Sequence, residues 1–326
     1  MSGFALLFPG QGSQYVGMGA DLYAASGAAR AVFDEAEQVW GGGLCRLIFE
    51  GPADELADTA NAQPSLFVAS LACWAALREA LDGFSVTPAF VAGHSVGEYA
   101  ALVAAGALSF AAGLRLVRER GLAMKAAGEA RPGGMAAVLG LSIEQVTSAC
   151  KQAQALTGEV VVVANDNAPG QVVISGTQGA VQAACESAKA QGAKRVVPLA
   201  VSVASHSPLM EPAASRLIPA LRQAGFSRPR WLVIGNWSAK PLSTVDDVLS
   251  ELAQQLTSRV RWTETIQHML EHGTSTFIEV GPKEVLTGLT KRIAPGATSV
   301  ACNNVDSIRQ AAQILHEEVL RGDRQG

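Results

Sequence analysis

AFVAGHSVGEYAALVAA, residues 89–105, decides how the rest of this chain is read. A short apolar run, Ala89 to Ala92, enters the pentapeptide Gly93-His94-Ser95-Val96-Gly97, and an apolar helix leaves it near Tyr99. Strand, G-x-S-x-G and helix in that order predict a nucleophile elbow. Glycines on either side of Ser95 allow the sharp turn that lifts a hydroxyl clear of the backbone, and the helix start behind it offers amide N–H groups to a developing oxyanion. The same pattern opens the chain, where the apolar strand Phe4 to Phe8 runs into the glycine-rich turn PGQGSQ. Repetition of strand, tight turn and helix predicts an α/β protein with a parallel sheet covered by helices.

Composition narrows the class. The chain has 326 residues, 48% of them hydrophobic and 17% charged, enough to build a large core. With 25 Lys+Arg against 29 Asp+Glu the net charge is −4, so there is no basic surplus for a nucleic acid. The longest uncharged apolar stretch, Tyr99 to Leu114, has 16 residues, short of the ~20 of a membrane-spanning helix. MSGFALLF lacks the basic start and cleavage pattern of a signal peptide. Cys45, Cys73, Cys150, Cys185 and Cys302 are odd in number and scattered, which predicts free thiols in a reducing cytoplasm.

Between the two ends of the predicted parallel sheet the pattern changes. Strand Met135 to Leu141, helix Ser142 to Leu156, strands Glu159 to Ala164 and Gln171 to Ser175, helix Thr177 to Gly192 and strand Lys194 to Val201 make a βαββαβ unit. It is entered through the Gly/Pro-rich AAGEARPGG (Ala126 to Gly134). The division expected is 1–127 with 199–326 for the larger domain and 128–198 for an inserted one. In the larger domain, helices are expected over Asp21 to Trp40, Pro64 to Leu81, Pro208 to Ala224, Val245 to Leu256, Trp262 to His272 and Ser307 to Leu320. Strands are expected over Trp231 to Asn236 and Thr276 to Val280.

A serine nucleophile needs a base. Of the five histidines, His94 adjoins Ser95 and should point away across the elbow. His206 closes the run VPLAVSVASH where Ser207-Pro208 opens a helix, a place from which a ring can reach a cleft floor or be held structurally. HMLEH (His268 to His272) fits an H-x-x-E-H zinc pattern, but both histidines fall on the polar side of their helix and no third ligand is spaced for them, so no metal is expected. Arg120 falls between Leu116 and Met124 on the apolar arc of the helix through GLRLVRERGLAMK. A buried guanidinium demands a partner: either a structural carboxylate or the carboxylate of a substrate. The strand-end loop FPGQGSQ lacks the ending of a phosphate loop, and it can either be a plain turn or supply an oxyanion amide from Gln11.

Together FPGQGSQ (8–14), GHSVGE (93–98), Arg120, NDNAPGQVVISG (165–176), VSVASH (201–206), QLTSRVRWTET (255–265) and EVGPKEVLTGLTKRI (279–293) resemble the malonyl-CoA:acyl-carrier-protein transacylases of fatty acid and polyketide synthesis. The resemblance is collinear over nearly the whole chain. It implies an α/β-hydrolase-like core with a ferredoxin-like (βαββαβ) insert and a ping-pong acyl transfer. In that scheme Ser95 attacks the malonyl thioester, His206 is the base, and the amides of Gln11 and Val96 hold the oxyanion. Arg120 binds the malonyl carboxylate, and a main-chain carbonyl at Gln255 orients the histidine. The implied partners are malonyl-CoA and the phosphopantetheine thiol of an acyl carrier protein, with no bound cofactor and a monomeric enzyme. Lys291 and Arg292 are candidate contacts for an acidic carrier. A transferase of polyketide assembly or of malonate decarboxylation is the alternative within the family. Departures from the family pattern are Val96 for leucine, Ala204 for proline and Arg259 for proline. A serine hydrolase would need an HGGG-like loop and a late histidine, but the chain has no such loop and only His316 near its end.

Overall fold

Phe4, Leu6 and Phe8 point to one side of the first strand, β1 (Gly3–Phe8), and Ala5 and Leu7 to the other, and all five are buried. A strand apolar on both faces belongs in the middle of a covered sheet, and the computed structural model places it there. Residues 3–84, 86–201 and 203–323 are described, so Met1 and Ser2 and Ser202 of the VSVASH stretch lie outside them. After β1 come α1 (Ala20–Ala25), α2 (Gly27–Trp40), α3 (Leu44–Glu50), α4 (Ala53–Ala57) and α5 (Thr59–Ala80), then β2 (Phe90–Gly93), α6 (Gly97–Ala104) and α7 (Phe110–Ala130). The middle of the chain holds β3 (Gly133–Leu139), α8 (Ile143–Thr157), β4 (Val161–Ala168), β5 (Gln171–Thr177), α9 (Gln178–Ala190) and β6 (Arg195–Pro198). A single 3-10 turn (Pro208–Met210) leads into α10 (Glu211–Gln223), β7 (Leu232–Ile234), β8 (Pro241–Leu242), α11 (Val245–Gln255), α12 (Trp262–Glu271), β9 (Thr274–Val280), α13 (Val285–Ile293), β10 (Thr298–Cys302) and α14 (Val305–Asp323).

The first sheet runs β10-β9-β1-β2-β7-β8, parallel throughout except for β8, which pairs antiparallel to β7 at the edge. Leu6, Val91, Val233 and Ile278 face the larger core, built with α2, α5, α6, α7, α10 and α14. Ala5, Leu7, Phe90, Ala92, Ile234 and Phe277 face the smaller one, filled by Trp262, Ile266 and Met269 of α12 and Leu286 and Leu289 of α13. The second sheet is antiparallel, in the order β4-β5-β3-β6, with α8 and α9 packed on one face through Val146, Ala149, Ala153, Ala180 and Ala184. It is tied to the rest where β4 meets the segment before α12. Asp166 N–H donates to the Val260 carbonyl at 2.9 Å, Val260 N–H to that of Ala164 at 2.8 Å, and Thr263 Oγ1 to Asp166 Oδ1 at 3.0 Å.

Several element boundaries differ from those read from sequence. The helix expected over Asp21 to Trp40 is broken at Ser26, which turns extended and caps α2 by accepting from Ala29 N–H at 3.0 Å. The helix expected from Pro64 begins at Thr59, because Asp58 caps it and Pro64 sits inside its second turn. The Gly/Pro linker shrinks to Arg131 and Pro132, since α7 continues to Ala130 and β3 begins at Gly133. Ladder pairing of β6 covers only Arg195–Pro198 of the expected eight-residue strand. Among the described residues no helix is long and apolar enough to cross a membrane.

Candidate active site

At the end of β2 the chain reverses at Ser95, whose φ of +53° is a left-handed value uncommon for a side-chain-bearing residue. Both flanking glycines are required by contact. A Cβ on Gly93 would lie 2.0 Å from the Gly97 carbonyl carbon, and one on Gly97 would lie 2.2 Å from the Phe8 carbonyl oxygen. The loop after β1 packs against the turn, where a Cβ on Gly10 would come within 2.5 Å of the His94 carbonyl oxygen. Asn236, just beyond β7, braces the turn from the other side. Its Oδ1 accepts from Ser95 N–H at 2.6 Å and its Nδ2 donates to the Gly93 carbonyl at 2.7 Å. Neither Asn236 nor its role is visible in the sequence, since an asparagine after a strand is an ordinary turn residue.

Ser95 Oγ lies 2.8 Å from His206 Nε2, and His206 Nδ1 lies 2.9 Å from the Gln255 carbonyl oxygen. A carbonyl only accepts, so Nδ1 carries the proton and Nε2 is left to accept from the serine hydroxyl. His206 is buried and, like Ser95, has positive φ, +58°. Burial first, and the Arg120 charge second, push its pKa down to about 3, which leaves a neutral ring at neutral pH. His94 turns away as expected: its ring meets the edge of Trp262 and its Nε2 lies 2.8 Å from Asn167 Oδ1.

Arg120 is 1% exposed. Its Nη1 donates to Gln63 Oε1 at 2.6 Å and to Met124 Sδ at 3.3 Å, and its Nη2 to Ser95 Oγ at 3.1 Å and Gln255 Oε1 at 2.9 Å. Every one of these acceptors is neutral, so the structural-carboxylate reading of Arg120 finds no partner among the described residues. The amides of Gln11 and Val96 have no acceptor among the described residues, while Gln11 Oε1 accepts from Thr59 Oγ1 at 3.0 Å. A cleft lined by Thr59, Lys125, Val201 and Val203 opens at Gln11.

The remaining candidates stand apart. His268 and His272 stack on each other at 4.2 Å beside Phe90, and no group of three potential metal ligands exists among the described residues. Arg292 is engaged by Gln171 Oε1 and the Pro169 carbonyl of the β4–β5 turn, at 2.6 and 2.9 Å. Arg259 pairs with Glu264 at 3.2 Å. His316 meets Phe84 edge-on.

A serine hydroxyl within hydrogen-bond reach of a neutral histidine, beside unengaged amides and an uncompensated guanidinium, is suited to moving an acyl group that bears a negative charge. Comparison with known proteins agrees. Residues 5–307 match the family described as acyl transferase domain. The malonyl CoA-acyl carrier protein transacylase of Bacillus subtilis is 45% identical over 98% of this chain and 99% of its own. A crystal structure of an acyl carrier protein S-malonyltransferase from Vibrio cholerae, 44% identical, superposes with a TM-score of 0.91 over 95% of this chain and 100% of that one. A complex described as a type II PKS acyl-carrier protein with its malonyl-transacylase (PlMCAT:AntF) gives 0.91 at 42% identity, over 96% and 99%. The chain belongs to the malonyl CoA-acyl carrier protein transacylase family of acyl transferases.

Proposed function

We propose that the chain transfers the malonyl group of malonyl-CoA to the phosphopantetheine thiol of an acyl carrier protein through a malonyl-Ser95 ester. The observation that carries this reading is the Ser95–His206–Gln255 chain of hydrogen bonds with Arg120 donating to the same Oγ. Ser95 Oγ bonds to the thioester carbonyl carbon as His206 Nε2 takes its proton. When the C–S bond breaks, that proton passes to the CoA sulfur. The amides of Gln11 and Val96 receive the oxyanion, each such donor supplying roughly 2.7–4 kcal/mol of transition-state stabilisation. The second half runs in reverse: His206 takes the proton of the carrier thiol, and Ser95 leaves. Arg120 pairs with the malonyl carboxylate, which offsets the second-largest of the causes holding His206 low, after burial, and so strengthens the base when the right acyl group is bound.

No metal or resident cofactor enters this chemistry. The two-sheet architecture is read as a hydrolase-like core, 1–127 and 199–326, with a ferredoxin-like insert, 128–198. The βαββαβ order and the β4-β5-β3-β6 sheet support that division. The enzyme is read as a monomer, and the free, mostly buried cysteines suit the cytoplasm. Intact-protein mass spectrometry after mixing with malonyl-CoA tests the reading. A malonyl adduct is expected on wild type and none on Ser95→Ala, and equal labelling of both would end the nucleophile assignment.

A further inference from the structure

Arg120 faces a carboxyl group it does not touch. Glu98, in the first turn of α6, is fully buried, and its Oε1 has no hydrogen-bond partner. Its Oε2 accepts from Gln255 Nε2, which also donates to the Ser95 carbonyl at 3.0 Å. Gln255 Oε1 in turn accepts from Arg120 Nη2 at 2.9 Å. One carboxamide therefore stands between a buried cation and a buried acid, giving its acceptor end to Arg120 and its donor end to Glu98. A direct Arg120–Glu98 pair would have satisfied both side chains at once.

Resting on the malonyl-transfer reading above, we propose that Glu98 and the Gln255 carboxamide set acyl selection: Gln255 keeps Arg120 and Glu98 apart, Glu98 is a neutral acid, and the guanidinium charge is thereby left for the carboxylate of the incoming acyl group. The charge balance makes the point. With His206 and Glu98 neutral, Arg120 and the side chains bonded to it carry one positive charge between them, which a malonyl carboxylate cancels and an acetyl methyl does not. Were Glu98 ionised, the protein would already have cancelled it, and malonyl would leave a surplus negative charge in a buried site. The groups around Glu98 are consistent with neutrality. Burial first, then the nearby Glu251 carboxylate of α11, raise its proton affinity well above the usual carboxyl range. The Gln255 amide, the Asn236 backbone and Arg120 oppose that rise. Tyr99, the other titratable group against Arg120, is itself pushed up by burial and stays neutral. Glu98 and Gln255 thus act through Arg120 as positioning residues.

The test uses the full chain and compares kcat/KM for malonyl-CoA and acetyl-CoA in wild type, Gln255→Glu and Glu98→Gln. Gln255→Glu sets a carboxylate on Arg120 while keeping the main-chain carbonyl that orients His206. It is expected to lower the malonyl-to-acetyl ratio at least about tenfold. Glu98→Gln, a neutral isostere, is expected to hold the wild-type ratio within about twofold. Difference infrared spectra should show it losing the carbonyl stretch of a buried protonated carboxyl group. A ratio that rises in Glu98→Gln, no protonated-carboxyl band lost with Glu98, or an equal loss on both substrates in Gln255→Glu would overturn the inference. The Glu98 measurements decide alone if Gln255→Glu yields no folded protein. Wild-type protein that never forms a malonyl adduct removes the underlying reading, a result separate from any of these.

Discussion

Asn236 gives the sharpest test of how the elbow is held. Ser95 sits in a backbone conformation that costs a side-chain-bearing residue about 1–2 kcal/mol, and Asn236 is the side chain bonded to both ends of the reversal. Asn236→Ala removes both bonds. It leaves the Ser95 N–H and the Gly93 carbonyl without partners in a region where Asn236 itself is 1% exposed. An unsatisfied buried group costs roughly 1–3 kcal/mol, so the two together predict a loss of about 2–6 kcal/mol of stability. Relaxation of the strained turn is expected to lengthen the 2.8 Å contact with His206 and to slow acylation by roughly 10- to 100-fold. Asn236→Asp keeps the acceptor for Ser95 N–H but cannot donate to Gly93, and should fall between the two. Urea denaturation followed by tryptophan fluorescence measures the first effect, and rapid-quench mass spectrometry of the malonyl adduct the second. Asn236→Ala protein within about 0.5 kcal/mol of wild type, with an unchanged acylation rate, would refute the reasoning.

Three further outcomes are expected. Arg120→Ala should reduce the malonyl-to-acetyl ratio of kcat/KM by roughly 10- to 150-fold, the equivalent of one charge-assisted hydrogen bond; a ratio that stays put removes the carboxylate role. Because the folded-state pKa of His206 is depressed to about 3 from 6.5, acylation should show no inflection near pH 6.5 in a pH–rate profile. Between those values the unfolded chain binds the extra proton, so the His206 contribution to stability should fall as pH drops from 6.5 toward 3, as pH-dependent denaturation can show. Gly97→Ala drives a methyl into the Phe8 carbonyl and should destabilise strongly, whereas Gly288→Ala, in α13 with open space around it, should stabilise by up to about 1 kcal/mol; thermal melts of the pair decide this.

Much of this molecule can be read from its sequence where a signal is local. The elbow announces itself because two glycines, a serine, an apolar strand and a helix are contiguous, and the βαββαβ middle because each of its elements carries its own period. Arg120 betrays itself by standing on the wrong arc of a helix. What fills in around it and the elbow does not: Gln63, Glu98 and Asn236 come from α5, α6 and the end of β7, and only tertiary packing brings them to the site. Short elements escape for a related reason. The helices over 44–50, 53–57 and 285–293 and the strand over 298–302 are only five to nine residues long, and their form is dictated by the sheet and helices they pack on. Pro64 misplaces a helix start because proline is welcome in a first turn, while the true start lies at the Asp58 cap.

The chain enters the second sheet from α7, which carries Arg120, and leaves it along the segment that ends at His206. Ser95 and Gln11, by contrast, stand at the ends of two adjacent parallel strands that never leave the first sheet. The residue proposed to read the acyl group and the one proposed to move the proton thus flank the two anchor points of the excursion, and the one proposed to hold the ester does not. Exchanging the middle of the chain between relatives is therefore not a modular operation. On the proposed roles, a graft that tilts the second sheet is expected to displace Arg120 and His206 together, even when no residue of the graft meets the substrate.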